Sequence, residues 1–183
     1  DYTTWLPFAA KTYKISPRIE DYILIVSLIC PADLPNRNGI AFPLEELTKF
    51  QKPPSNRMAY KTWSGCPLHV EHRNSNCEDA VGAILDSSLS KVTGYGKGKL
   101  WKVMGLIGID KTKDVELAQK VLNKEVNTYS MGAVADYFTC SFCGSTIEEH
   151  NHCAHIDSHG QVDFNEISDY DGSRHLGFRN ARD

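Results

Sequence analysis

Val126-Asn127-Thr128-Tyr129-Ser130-Met131-Gly132-Ala133-Val134-Ala135-Asp136-Tyr137-Phe138 reads as a core strand that carries one serine where an apolar residue is expected. β-Branched and aromatic residues dominate the run, and small residues follow the serine closely. A helical pattern ends just before it, so Ser130 is expected on a rigid strand with uncrowded backbone beside it. Such a seat suits a nucleophile. An isolated Ser-Met-Gly is more often a solvent-facing serine, and only residues elsewhere in the chain change that reading.

Outward from this stretch, Asp114 to Glu125 is the clearest helix. Asp114 is placed to cap it, and Val115, Ala118, Val121 and Leu122 recur at helical spacing as an expected buried stripe. Upstream, Asp21 to Cys30 reads as a buried strand, Pro43 to Phe50 as a short helix, and Ala80 to Asp86 and Leu100 to Ile109 as further strands. Residues 1 to 20 show no clear period and read as an arm. Gly94, Gly96 and Gly98 mark a hairpin-like turn and not a phosphate loop, lacking the strand-then-helix context. Downstream, Val162 to Ser168 resumes a strand pattern, and Asp169 to Asp183 is a polar tail. The expected fold class is α+β, a mainly antiparallel, β-barrel-like core with surrounding helices. It forms one domain over 1–183 with a small Cys/His insert at about 139–159.

The 183 residues are enough for a core without disulfides, and 41% apolar with 23% charged residues is ordinary for a globular chain. A net charge of -3 argues against a dedicated nucleic-acid binder. The longest apolar run, Tyr22 to Cys30, is too short to span a bilayer, so no membrane association is expected and the chain reads as intracellular. It opens at Asp1, which points to a processed or trimmed product.

Three of the six cysteines fall between Cys140 and Cys153, with four of the seven histidines between His150 and His159. Cys140-Ser141-Phe142-Cys143-Gly144 is a Cys-x2-Cys knuckle, and Cys153-Ala154-His155 follows. Cys140, Cys143, Cys153 and His155 form a ligand set suited to tetrahedral zinc, with His150 and His152 as alternative fourth ligands. A closed Cys3His shell is structural, because catalytic zinc keeps a position open for water.

A serine nucleophile needs a base, and the base needs a partner that fixes its tautomer. Trp63 to His72 is an extended segment carrying His69 and His72, which point oppositely on a strand. The residues alone do not separate the two.

Leu68-His69-Val70-Glu71-His72, then Ala80-Val81-Gly82-Ala83-Ile84, then Thr128-Tyr129-Ser130-Met131-Gly132, then Phe164-Asn165-Glu166-Ile167-Ser168 resembles the prohead (capsid maturation) proteases of tailed bacteriophages. The likeness covers roughly residues 60 to 170, and the order of the motifs is its strongest part. It is similar also to the herpesvirus assemblin proteases, which place a histidine where Glu166 stands. The resemblance implies a Ser-His-Glu triad of Ser130, His72 and Glu166, with Asp86 and, more distantly, His155 as alternatives to Glu166. Backbone near Met131 and Gly132 would serve the oxyanion, and the resemblance adds Arg174 in Gly172-Ser173-Arg174. It also implies a serine endopeptidase that cuts scaffold or core and major capsid proteins after glutamate, and itself, inside the assembling prohead in the host cytoplasm. Self-association of copies is compatible with that setting. Leu44-Glu45-Glu46 and Ile147-Glu148-Glu149 resemble such cleavage sites. The alternatives are a zinc-ribbon binding module in which Ser130 is incidental, and a catalytically silent capsid-associated protein.

Overall fold

The structure, a computed structural model, describes residues 2–36, 39–71, 73, 75–93, 100–147, 153–155, 167–170, 173–176 and 179–182, the last three segments by their backbone. In chain order the elements are α1 (Tyr2–Tyr13), β1 (Tyr22–Pro31), β2 (Ile40–Ala41), α2 (Leu44–Leu47), β3 (Pro67–Leu68), β4 (Gly82–Lys91), β5 (Trp101–Asp110), α3 (Val115–Leu122), β6 (Tyr137–Cys140), β7 (Thr146–Ile147), β8 (Ile167–Tyr170), β9 (Ser173–Leu176) and β10 (Arg179–Arg182). The class is α+β. Among the described residues the strands form two four-stranded sheets and a two-stranded hairpin, and none closes into a barrel. The barrel-like expectation is corrected on that point: the stretch from Val126 to Ala135, which would have supplied a further strand, has no regular structure.

The chain divides into two compact units, one of residues 1–29, 50–90 and 103–131, the other of 30–49, 91–102 and 132–183. The first is built on the sheet β1-β5-β4-β3. Gly82 to Leu85 of β4 and Ile107 to Asp110 of β5 are buried, and the side chains of Leu85 and Val103 are fully buried. Helix α1 covers part of one face with Leu6, Ala9 and Tyr13, packed against Tyr22, Ala83 and Leu85. The Tyr13 hydroxyl donates to the Gly65 carbonyl at 2.7 Å, fixing the helix end to the turn before β3. The N-terminal arm is thus a helix. Its spacing of three and four residues was obscured by Pro7, which removes one amide from the ladder.

One buried carboxylate locks the end of β5. Asp110 accepts from the Ser16 amide at 2.6 Å and from the Thr112 amide and hydroxyl at 2.8 and 2.7 Å. It thereby ties the linker after α1 to the turn before α3, and the hydrogen bonds offset the cost of burying a charge. Asp114 caps α3 through the Leu117 amide at 2.8 Å, as its sequence suggests. The stripe on α3 is not buried as a whole, however. Ala118 is buried, while Val115 and Leu122 are exposed.

Gly82, the glycine of the Val81-Gly82 pair, lets β4 approach β5 closely. A Cβ there would lie 2.0 Å from the Gly108 carbonyl oxygen, so no side chain fits without parting the strands. Gly82→Ala is expected to cost about 2 kcal/mol or more, as overpacking against backbone does. Urea unfolding measures this, and a midpoint within error of the parent would contradict the packing described.

The second unit is built on the sheet β2-β10-β6-β7, with β10 parallel to β2 and antiparallel to β6. Arg179 faces Cys140 and Arg182 faces Tyr137 in that register. The polar tail read from 169 to 183 therefore contains strands β9 and β10, and β9 pairs with β8 as a hairpin. Alternation of charged and small residues there gives little apolar signal. No helix is long and apolar enough to cross a membrane among the described residues.

Candidate functional site

The hairpin β6–β7 supplies the first half of the Cys/His cluster. Cys140 ends β6, and the chain turns at once: the Gly144 amide donates to the Cys140 carbonyl and the Cys140 amide to the Ser145 carbonyl, both at 2.9 Å. Gly144 adopts φ +70°, a left-handed conformation that glycine takes without strain. This knuckle points Cys140 and Cys143 the same way. Cys153 and His155 join them, and one ligand atom from each of the four lies within 4.8 Å of all the others. Ligands at zinc bond lengths of about 2.0–2.3 Å stand about 3.5 Å apart in a tetrahedron, so the donor set fits a zinc-sized ion after small adjustments. Phe138, Phe142, Ile147 and Cys153 pack around buried Cys140, and the Phe142 and His155 rings sit 5.3 Å apart.

Electrostatics around the knuckle favour one thiolate over the others. A hydrogen bond to the Ser145 hydroxyl, 3.2 Å away, leads the interactions that pull the Cys143 thiol down to about 6, with His155 and Cys153 adding to it. Burial pushes Cys153 up to about 11, and pushes Cys30, remote in sequence, to about 12. Ser145 was not read as functional from sequence. Its only signal is a hydroxyl residue directly after the glycine of Cys-x-x-Cys-Gly. In metal-free protein near about pH 7, iodoacetamide is expected to label Cys143 before Cys153 or Cys30, because the thiolate is the attacking form. Peptide mass spectrometry reads the order, and equal rates at Cys143 and Cys30 would contradict it.

The proposed catalytic residues are placed less completely. Ser130 is exposed in an irregular segment, not on a core strand as expected. Val126, Tyr129 and Val134 of this segment are also exposed, Val134 to 96%. Among the described residues no strand pairs with this run, and propensity alone did not yield a strand. Within the segment the Tyr129 hydroxyl donates to the Leu28 carbonyl. A Cβ added at Gly132 would meet nothing within 4 Å. His72 and Glu166 lie outside the described residues, as do His150 and His152. Arg174 lies on β9, described by its backbone.

The alternatives are better defined. The Nδ1 of His69 is buried without a hydrogen-bond partner among the described residues. Asp86 accepts from the Lys61 ammonium and from the Ser87 amide, each at 2.9 Å, beside a buried Ser64–Ser87 hydroxyl pair. Lys61 also donates to the Ser87 carbonyl. The Lys61 ammonium and the Asp86 carboxylate thus form an ion pair. His155 stands in the Cys/His cluster that could hold a metal.

No known protein family, curated protein or solved structure matches this chain.

Proposed function

We propose that the chain is a serine endopeptidase of the capsid-maturation type. The observation that carries this reading is the order of four motifs: His72 before Val81-Gly82, then Thr128-Tyr129-Ser130-Met131-Gly132, then Phe164-Asn165-Glu166-Ile167-Ser168. The exposure of Ser130 supports it, since a nucleophile must be reached by a polypeptide. In this reading the Ser130 Oγ attacks the scissile carbonyl carbon while His72 takes its proton. Glu166 holds the imidazole and favours its protonated form. The C–N bond then breaks as the imidazolium protonates the leaving amine, and water releases the acyl group by the same route. Zinc held by Cys140, Cys143, Cys153 and His155 would brace the excursion between Ser130 and Glu166 and take no part in the chemistry.

The substrates in this reading are scaffold or core and major capsid proteins cut after glutamate inside an assembling phage head, together with the chain itself. Of the two internal sites, Leu44-Glu45-Glu46 lies in α2, where Glu46 pairs with Lys49 at 3.2 Å. Proteases bind extended chain, so cutting there needs α2 to unwind first. Incubation with glutamate-containing scaffold peptides, with products read by mass spectrometry in parent and Ser130→Ala proteins, tests the proposal. The Cys/His cluster favours a second reading, a zinc-ribbon binding module with an incidental serine, and unchanged product patterns in the two proteins would select it.

A further inference from the structure

Among the described strands, β1 lies at the edge of its sheet. Tyr22–Pro31 carries no charged residue, and no described strand pairs with its outer side. Edges of this kind are ordinarily guarded by lysines, inward charges or a covering element. The register shows which backbone groups face outward. The Lys111 amide donates to the Asp21 carbonyl at 2.9 Å, while the Tyr22 amide turns the other way, to Ile19. Counted from that end, alternation directs Ile23, Ile25 and Ser27 toward β5 and leaves the N–H and C=O of Leu24, Val26 and Leu28 pointing outward; the Ala32 amide donates to the Trp101 carbonyl at 2.9 Å, one residue out of step, so β1 takes up an extra residue before Ala32. Tyr129 reaches the Leu28 carbonyl from that outer side. The side chains of the same three residues lie on one face and are 47%, 70% and 46% exposed.

We propose that the outer edge of β1 takes an extended segment of the polypeptide substrate as an added strand, its alternate apolar side chains resting on Leu24, Val26 and Leu28. This rests on the reading of Ser130 as nucleophile. Tyr129 closes the edge at Leu28 and is followed directly by Ser130, so a strand laid along Leu24 and Val26 runs up to the serine. The same closure disfavours a second copy of β1. With Tyr22 turned back and Leu28 taken, two residues remain to pair, far less than the roughly 1,000 Å² of a stable dimer but enough to orient a transient peptide.

The test uses Ser130→Ala protein, so that nothing is cleaved, and the probe acetyl-Thr-Val-Thr-Val-Thr-Val-Glu-Ala-amide at millimolar concentration. Amide hydrogen exchange at Leu24 and Val26 is expected to slow at least about tenfold, and a probe N-methylated at its valines is expected to give no slowing. Val26→Pro removes one outward donor at a position where an edge strand tolerates proline, and is expected to weaken probe binding about tenfold. Unchanged exchange at both residues overturns the proposal. So does slowing that appears without probe and grows with protein concentration, which would assign the edge to a second copy. Protection by the probe together with an inert parent enzyme would remove the nucleophile reading and leave the edge as a peptide-binding site.

Discussion

Ser130→Ala is expected to lower peptide cleavage by about 10⁴-fold or more while leaving the fold intact, because removing a serine nucleophile removes the covalent route itself. Ser130 is exposed in an irregular segment, so the lost hydroxyl leaves no cavity. The change in unfolding free energy is accordingly expected within about 0.5 kcal/mol. His72→Ala is expected to lose activity to a similar extent, and the double variant to lose little more, since groups that act as one relay are not additive. Progress curves on a glutamate-containing peptide decide this. Full activity in Ser130→Ala would sink the hydrolase reading. A loss of activity that tracks a loss of folded protein would mean that the serine is structural.

The second large effect concerns the metal. Cys140 is buried at the end of β6, inside a small apolar cluster, and its backbone sets the knuckle. Cys140→Ser is expected to reduce bound zinc from one equivalent per chain to under about a tenth, because a thiolate ligand is lost from a closed four-ligand shell. Structural zinc in small domains contributes apparent binding energies of about 10–16 kcal/mol, and folding of the hairpin β6–β7 is expected to weaken with its loss. Cys66→Ser, which lies outside the cluster, serves as the control. Plasma emission on gel-filtered protein gives the ratio. Undiminished zinc in Cys140→Ser would show that the ion, if bound, sits elsewhere. His155→Ala separates the fourth-ligand alternatives: retained zinc would hand that role to His150 or His152.

The Cys/His cluster was the most legible part of the sequence. A Cys-x2-Cys-Gly turn needs its two sulfurs on one side whatever surrounds it, so local geometry fixed half of the set, and Cys153 with His155 completed it in the structure. Strands β1, β4 and β5 were legible for a similar reason, as their apolar runs have one stable use. What the runs could not tell was position in the sheet. The stretch from Tyr22 to Cys30 looks buried on composition, yet among the described strands β1 is an edge, with Leu24, Val26 and Leu28 exposed.

Segments whose state depends on partners were the least legible. Val126 to Ala135 has strand propensity and no strand, because propensity of that kind expresses packing against neighbours. Conversely, Arg179 to Arg182 has weak propensity and forms β10, held between β2 and β6 by backbone pairing. Helix α1 was hidden by Pro7, although Leu6, Ala9 and Tyr13 keep helical spacing. The contact from Tyr129 to the Leu28 carbonyl joins residues 101 apart in sequence, and no local pattern announces it.

The convergence of Ser130 and His72 is tested most directly by active-site labelling with a serine-reactive phosphonate, followed by peptide mapping of the adduct. One adduct on Ser130, formed in the parent protein and lost in His72→Ala, is the expected result. A folded, zinc-loaded parent protein in which Ser130 stays unmodified, or is modified equally well without the imidazole at position 72, would contradict it.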